Sequence, residues 1–285
     1  PGWAEQDAEI FWSSVCQACQ ELKTRHPRYF SNIAGVGVTT QRASMVNVDQ
    51  EGLPLRPVIT WLDQRKAHQV YSPLLPLRFL YKMVGMEETL AKIQMSAKGN
   101  WIQQNQPDIW KKTHKYLQIS GFLNYRLTGE FSDSIASQIG HLPFSYKKQD
   151  WASPFELSSN LFPMNRNLLP RLVPPGKPLG TISHSAHEST GIPEGTPVIA
   201  CGSDKGCETI GIGVLDETMA SLSFGTTATV QTTTAKYCEA IRFMPPYPAP
   251  IPKQYNPEVE IFRGFWMISW FKEQFAHKEI EIAKK

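Results

Sequence analysis

One strand–turn–helix unit constrains this chain more than any other segment. Residues 198–201 are apolar and predict a buried strand, and Gly202 permits a tight turn at its end. Asp204 then falls near the first turn of a helix that runs toward Ile212. An acid at that position can face a bound hydroxyl group. In α/β folds, polar side chains at the ends of strands build ligand sites, so this unit predicts such a site.

A second apolar strand, residues 221–224, ends in Gly225, Thr226 and Thr227. Its backbone N–H groups and hydroxyls, with little steric bulk, suit an anionic phosphoryl group. Together with Asp204, this turn predicts phosphoryl transfer to an alcohol. The alternative is that Asp204 only caps its helix and that Gly-Thr-Thr is an ordinary strand end.

Another cluster of polar strand ends favours the functional interpretation. Residues 35–39 predict a strand that delivers Gln41 and Arg42, and residues 46–58 predict a hairpin with its turn at 49–52. The returning strand delivers Trp61 and Asp63. These side chains extend the candidate ligand site, because α/β folds build such sites from polar residues at the ends of successive strands.

Five motifs in order resemble the FGGY carbohydrate kinases, a family that includes glycerol kinase, gluconokinase, xylulokinase and ribulokinase. They are Gly-Val-Thr-Thr-Gln41-Arg42, Ile59-Thr-Trp61-Leu-Asp63-Gln-Arg65, Phe122-Leu-Asn124-Tyr125-Arg126-Leu-Thr-Gly129-Glu130, the strand and turn before Asp204, and Phe224-Gly-Thr-Thr227. The resemblance extends from residue 1 to at least residue 227, and five motifs in register are far more specific than any one of them.

The resemblance implies an α/β, actin-like ATPase (ribonuclease H-like) fold in which a cleft between two domains binds sugar and MgATP. Residues 1–216 would form the N-terminal, sugar-binding domain without its first strands, and residues 217–285 the beginning of the C-terminal, nucleotide-side domain. The Asp-x-Gly-Thr hairpin that holds Mg²⁺ in the family and its later Gly-Gly-rich segment do not occur here. We therefore expect an internal piece of a longer protein, inactive alone.

The resemblance also assigns roles to individual residues. Asp204 would be the general base, and the turn that approaches the γ-phosphate of ATP would use Gly225, Thr226 and Thr227. The substrate-binding positions would be Gln41, Arg42, Trp61, Asp63 and Lys205. No residue of this chain is assigned to the metal ion, and the resemblance allows a homodimer.

Two departures from the family limit the choice of substrate. Ala43 follows the Gln-Arg pair where glycerol kinase has an acidic residue, and Thr-Gln-Arg replaces the Gly-Gln-Met-His of common bacterial xylulokinases. We favour a ketopentose such as xylulose or ribulose. The alternative function is a catalytically inactive FGGY-like module that binds a sugar or a partner.

Composition excludes other classes of function. The 285 residues are 41% hydrophobic and carry a formal net charge of +3, too small to indicate nucleic-acid binding, and no apolar run reaches the ~20 residues of a membrane helix. Five cysteines, an odd number, indicate a reducing compartment, which by default is the cytoplasm. Cys16 and Cys19 have the spacing of a metal or redox pair, but they fall within an amphipathic helix and are better explained by packing.

The remaining pattern predicts alternating helices and strands. Helices are expected at 6–22, 63–84, 87–94, 104–112 and 119–128, and strands at 33–39 and 196–201. The proline-rich stretch 140–190 predicts surface loops, with His184 and His187 in one of them. Residues 244–253 predict a rigid loop near the cleft rather than a polyproline ligand. Five aromatic residues are expected in the core or a domain interface: Phe262, Phe265, Trp266, Trp270 and Phe271.

Overall fold

The computed structural model describes residues 2–68, 75–83, 85–225, 227–241, 244–261 and 264–284. The helices are α1 Ala8–Arg25, α2 Pro27–Phe30, α3 Leu75–Met83, α4 Glu87–Ser96, α5 Lys98–Asn105, α6 Pro107–Lys112, α7 Ile119–Thr128, α8 Leu157–Leu161, α9 His184–Thr190, α10 Asp204–Gly211, α11 Trp266–Phe275 and α12 His277–Ala283, with 3₁₀ turns at Ile135–Ser137 and Arg166–Leu168.

The strands are short, and several follow one another without a helix between them. They are β1 Glu5–Gln6, β2 Val36–Gly37, β3 Met45–Val48, β4 Val58–Ile59, β5 Lys115–Gln118, β6 Ser132–Ser134, β7 Phe144–Ser145, β8 Asp150–Trp151, β9 Arg171–Val173, β10 Pro178–Thr181, β11 Pro197–Ile199, β12 Ser221–Phe224, β13 Ala228–Gln231, β14 Tyr247–Pro248, β15 Tyr255–Asn256 and β16 Glu258–Ile261.

Among the described residues, three sheets have three or four strands, and three further sheets have two. An antiparallel sheet has the order β1-β4-β3-β5, and a mixed sheet has the order β10-β11-β2, in which β11 and β2 run parallel. A third, antiparallel sheet has the order β12-β13-β16. The parallel pair matters most for the site, because it joins the beginning of the chain to the strand that precedes Asp204.

The main core joins α1 and α7 to the first two sheets. It includes Trp12 of α1, Phe122 of α7, Val46 of β3 and Val198 of β11, all buried. Burial of each such large side chain stabilises the fold by roughly 1.5–3 kcal/mol. Cys16 and Cys19 lie half-buried on α1 against this core and are free thiols, so the packing interpretation of the Cys pair is confirmed.

Several predicted boundaries are wrong for identifiable reasons. The predicted helix at 104–112 is two helices, α5 and α6, because Pro107 has no N–H to continue the first and suits the first turn of the second. The predicted helix at 63–84 is not helical over residues 63–68, where Asp63 and Arg65 bind each other. Its helical part begins at Leu75, and residues 69–74 and 84 lie outside the described residues.

Two further predictions about loops and packing are corrected. His184 and His187 lie on α9, not in a loop, because the Ser183 side chain caps the helix N-terminus and Gly191 ends it in a left-handed conformation. The predicted loop at 244–253 contains β14, which forms a short hairpin with β15. Of the five aromatic residues expected in the core or a domain interface, Phe262 lies outside the described residues. The other four lie on or beside α11, are 48–59% exposed and do not belong to the core: Phe265, Trp266, Trp270 and Phe271.

Among the residues that the structure describes, no helix combines the length and the apolar composition that crossing a membrane requires.

Candidate functional site

The parallel pair β2 and β11 brings two polar segments together. Beyond the paired strands, the Thr39 hydroxyl donates to the Gly202 carbonyl at 3.0 Å, and the Asp204 N–H donates to the Thr40 carbonyl at 3.1 Å. The two segments therefore leave the sheet side by side. This arrangement places residues 41 and 42 next to Asp204, as expected where the carboxyl ends of parallel strands meet.

Asp204 is the first residue of α10, and its side chain is partly open. Ser203 caps the helix, so Asp204 falls in the first turn, where a negative charge is favoured by the helix dipole. Its Oδ1 accepts the Lys205 N–H at 2.8 Å, and among the described residues Oδ2 accepts no hydrogen bond. The side chain is 40% exposed. One carboxylate oxygen is thus fixed and the other is available to a ligand.

Arg42 lies between Asp204 and a second carboxylate. Its Nε is 3.6 Å from Asp204 Oδ1, whereas Nη1 and Nη2 donate to the two oxygens of Glu258 at 3.0 and 2.8 Å. The guanidinium also stands 5.0 Å from the ring centre of Tyr247. Burial disfavours the charge of Arg42, but the bonds to Glu258 outweigh burial and hold the pKa of Arg42 above its ordinary value. Arg42 is therefore a fixed cation beside Asp204.

Gln41 and Trp61 are linked through Ser44. The Ser44 hydroxyl oxygen, which is buried, accepts from Gln41 Nε2 at 3.0 Å and from the Trp61 N–H at 3.1 Å. The Trp61 side chain remains 47% exposed. A large indole that stays in solvent while its backbone is anchored is suited to cover an apolar ligand face. The structure thus brings Gln41 and Trp61 together, as the sequence predicted.

Asp63, in contrast, is fully used inside the fold. Its two oxygens accept from Arg65 Nε and Nη2, both at 2.8 Å, and from the Ala4 N–H at 2.6 Å. Arg65 also pairs with Glu5 at 2.8 Å and lies between two indole rings, of Trp3 and Trp101, at 4.2 and 4.5 Å. Burial opposes the Asp63 charge, but these donors hold the pKa of Asp63 below its usual value.

Both side chains of the Asp63–Arg65 pair are buried, at 0% and 1% exposure. In this structure Asp63 therefore has no open oxygen with which to meet a sugar. Its bond to Ala4 instead attaches the beginning of the chain to the segment that follows Trp61.

Lys205 links α10 to β12, the strand that precedes Gly225. Lys205 Nζ donates to Glu208 Oε2 and to the Ser223 hydroxyl of β12, both at 2.8 Å. Gly225 is exposed, and its N–H donates within the turn to the Thr227 carbonyl at 2.9 Å. A Cβ atom added at Gly225 would meet nothing nearer than that carbonyl at 4.0 Å, so the turn is open to an approaching group. Thr226 lies outside the described residues.

Sequence reasoning missed the residues that hold Arg42. Glu258, Tyr247 and Gln231 come from strands that follow Asp204 in the chain, and no family motif includes them. Gln231 Nε2 donates to Glu258 Oε2 at 2.7 Å. One indication of Glu258 was present in the sequence: it is a carboxylate that follows the proline-rich segment 244–253, which was expected near the cleft.

Comparison with known proteins identifies the family. The profile of the FGGY family of carbohydrate kinases, N-terminal domain, matches residues 1–211. The uncharacterized sugar kinase YgcE of Escherichia coli (strain K12) is 28% identical over 283 residues, 99% of this chain and 50% of that protein. The L-fuculokinase of Escherichia coli (strain K12) is 29% identical over 230 residues, 79% of this chain and 46% of that protein.

Among solved structures, the xylulose kinase from Rhodospirillum rubrum matches with a TM-score of 0.80 and 22% identity, over 97% of this chain and 56% of that one. This chain thus spans about half the length of the relatives that it matches. The predicted α/β, actin-like ATPase fold is confirmed by the similarity of its elements to such kinases. Because the family profile covers most of the sequence, the chain belongs to the FGGY family of carbohydrate kinases.

Proposed function

We propose that this chain supplies the sugar site and the general base of an ATP-dependent sugar or polyol kinase. The proposal rests mainly on Asp204: its Oδ1 accepts the Lys205 N–H at 2.8 Å and lies 3.6 Å from Arg42 Nε, whereas its Oδ2 accepts no hydrogen bond among the described residues. A base must reach the proton that it removes, and an anchored, part-exposed carboxylate meets that requirement.

In the proposed reaction, Asp204 Oδ2 accepts the proton of the attacking sugar hydroxyl, and its carboxylate becomes a carboxylic acid. ATP supplies the γ-phosphoryl group, which passes in line to the sugar oxygen. General-base catalysis of this kind contributes typically ~10²–10⁴ in rate. Phosphoryl transfer depends mainly on positioning and charge, so Asp204 orients the hydroxyl as well as receiving its proton.

We assign sugar binding to residues that follow β2 and β4. Trp61 would cover the carbon face of the sugar, and Gln41 and Arg42 would bind its hydroxyls. Lys205 Nζ already donates hydrogen bonds to Glu208 and Ser223, and it would donate a third to a sugar hydroxyl. Asp63 would act indirectly, by fixing the segment that carries Trp61. A ketopentose remains the favoured substrate, in keeping with relatives named as xylulose kinases.

The nucleotide would approach the turn of Gly225, Thr226 and Thr227, with Mg²⁺ bound to its phosphates. The exposed position of Gly225 supports this placement: apart from its chain neighbours, no described residue comes closer than 4.0 Å to a Cβ atom built there. We assign residues 1–216 to the sugar-binding domain and residues 217–285 to the beginning of the nucleotide-side domain. The family match over residues 1–211 supports that boundary.

The alternative is a module that binds a sugar or a partner without phosphoryl transfer. The two functions are separated by measuring ADP release from MgATP by the native gene product against ketopentoses, polyols and aldonates, with sugar binding measured by calorimetry. Sugar-dependent ADP release identifies the kinase and its substrate class. Sugar binding without ADP release identifies the module. The isolated 285-residue chain is expected to show no turnover in the same assay.

A further inference from the structure

The environment of Arg42 contains two carboxylates that compete for one guanidinium. A guanidinium binds a carboxylate best through two parallel N–H···O bonds, and Arg42 makes that arrangement with Glu258, at 3.0 and 2.8 Å. Toward Asp204 it presents only Nε, at 3.6 Å, which is longer than a hydrogen bond. Glu258 therefore takes the stronger interaction, and Asp204 keeps an open oxygen.

Glu258 is itself held to the helix that carries Asp204. Its Oε2 accepts from Gln231 Nε2 at 2.7 Å, and Gln231 Oε1 accepts from the hydroxyl of Thr209 on α10. Gln231 is 4% exposed, and the Glu258 side chain is 6% exposed. A buried network with this many bonds fixes geometry, because each member would be left unpaired if another moved. The distance between Asp204 and Glu258 is thus set through α10.

The segment around Tyr247 closes the same corner. The Tyr247 ring lies under the Arg42 guanidinium at 5.0 Å. Pro250 packs so closely on the turn before Asp204 that a Cβ atom at Gly202 would come within 2.7 Å of its ring. Residues 247–250 therefore lie against both Arg42 and the turn before Asp204.

We propose that Glu258 is a positioning residue that holds Arg42 away from Asp204 and so keeps the carboxylate of Asp204 open to the substrate hydroxyl. This inference rests on the proposed function. If Glu258 lost its charge, the nearest carboxylate to Arg42 would be Asp204. Arg42 would then turn its Nη groups toward Asp204, and the base would be occupied by a cation and less able to accept a proton.

The charged and titratable groups around Asp204 come from several elements. They are Arg42 from the segment after β2, Lys205 and Glu208 on α10 itself, Tyr247 on β14 and Glu258 on β16. Lys205 is bound to Glu208 and Ser223, so Arg42 is the cation whose position depends on Glu258. A change at Glu258 should therefore reach Asp204 through Arg42.

The test compares Glu258→Gln with Glu260→Gln in the native gene product. Glu260 is an exposed carboxylate on the same strand, so its variant removes the same charge without touching Arg42. We expect kcat to fall at least about tenfold in Glu258→Gln, with a smaller change in sugar KM and with the acid limb of the pH–rate profile moved to lower pH. Glu260→Gln should match the wild type in all three.

A double-mutant cycle and a crystal structure complete the test. In an Arg42→Gln background, Glu258→Gln should cause no further loss, because its effect passes through Arg42. A crystal structure of Glu258→Gln should show Arg42 bonded to Asp204. Unchanged kcat and pH profile, an additive loss in the Arg42→Gln background, or Arg42 still away from Asp204 would each overturn the inference. Absence of sugar-dependent turnover in the wild type would refute the proposed function instead, and the crystal structure would still decide the position of Arg42.

Discussion

At the scale of single residues, two neighbours in one motif have opposite roles. Trp61 and Asp63 are separated by one residue, yet the indole is 47% exposed while the carboxylate is fully buried. The difference follows from partners. Asp63 has a bidentate cation in Arg65, whereas the Trp61 side chain has no ring or cation partner among the described residues. Stability should therefore depend on Asp63, and ligand binding on Trp61.

Trp61→Ala should change stability moderately and sugar affinity strongly. Because 47% of the indole is already exposed, the free energy of unfolding should fall by about 1–2 kcal/mol, less than for a fully buried tryptophan. A sugar that loses its stacking surface should show a KM about tenfold higher, since stacking on an aromatic face is worth about 1 kcal/mol or more. Urea denaturation and sugar-dependent kinetics of the native gene product measure the two effects. A large loss of stability with unchanged KM would show that Trp61 is a packing residue.

In contrast to Trp61→Ala, Asp63→Asn should act mainly on stability. The amide weakens the bonds that hold buried Arg65, so the free energy of unfolding should fall by about 2–3 kcal/mol. The stability difference between this variant and the wild type should shrink in strong acid. Because the pKa of Asp63 is held below its usual value, its carboxylate stabilises the fold at higher pH, and this stabilisation is lost as the pH falls and the carboxyl group protonates. Urea denaturation at neutral pH and at low pH checks both points. Unchanged stability would contradict the buried ion pair.

At the scale of elements, the hairpin between β3 and β4 shows how a turn is fixed by a distant helix. Asp49 Oδ1 accepts the N–H groups of Glu51 and Leu53 at 3.1 and 2.8 Å. Gly52 follows in a left-handed conformation, with φ +77°. The Tyr125 hydroxyl of α7 donates to the Glu51 carbonyl at 2.8 Å. The turn predicted from Asp49 and Gly52 is confirmed, but its contact with α7 has no signature in the sequence.

Gly52→Ala should destabilise the protein by about 2–4 kcal/mol. A Cβ atom at Gly52 would lie 1.8 Å from the Tyr125 ring, so the ring must move, and the left-handed backbone adds its own cost for alanine. Thermal unfolding would measure the effect. Gly129→Ala is the control, because Gly129 has a similar φ of +78° and open space around it. Equal losses in the two variants would show that backbone strain alone acts and that Tyr125 does not hold the turn.

Element boundaries were predicted well where a local signal decides them. Asp7 caps α1 through the Glu9 N–H at 3.0 Å, and Gly129 ends α7 in a left-handed conformation. The failures occurred where a distant partner decides. The predicted helix over residues 63–68 is absent because Asp63 bonds to Ala4, which is 59 residues away in sequence. Such a partner cannot be inferred from local periodicity.

At the scale of the whole molecule, two buried groups have opposite effects on stability as the pH falls. Burial raises the pKa of Asp133 to about 6, even though Ser120, Gln138, Asn124 and the Ser134 N–H all donate to it. Burial, with the charge of Lys98, lowers the pKa of His141 to about 4. As the pH falls from about 6 to 4, Asp133 therefore takes up its proton in the native state before it does so in the unfolded chain. His141 takes up its proton in the unfolded chain first.

These shifts predict stability changes of opposite sign. As pH falls from about 6 to 4, Asp133 should stabilise the fold by up to about 3 kcal/mol, and His141 should destabilise it by a similar amount. Relative to the wild type, His141→Gln should become more stable on acidification and Asp133→Asn less stable. Urea denaturation at a series of pH values measures the slopes. Slopes that change in the same direction in both variants would refute this account.

The site was predicted from sequence as far as its residues lie in contiguous motifs. Asp204, Gln41, Arg42 and Trp61 follow strands, and the sheet brings their segments together through β2 and β11. Glu258 was not predicted, because it meets Arg42 across 216 residues and depends on the packing of β13 and β16. Sequence motifs identified the residues that would act on a ligand, whereas the residues that hold them in place come together only in the folded structure.

The central claim is that Asp204 is the base of a sugar kinase, and Asp204→Asn in the native gene product tests it most directly. The amide keeps the shape of the side chain but accepts no proton, so kcat should fall by at least about 10² while the sugar dissociation constant changes by less than about threefold. Asp108→Asn, at an exposed position on α6, is the control and should match the wild type. Turnover that persists in Asp204→Asn at the wild-type rate would contradict the account.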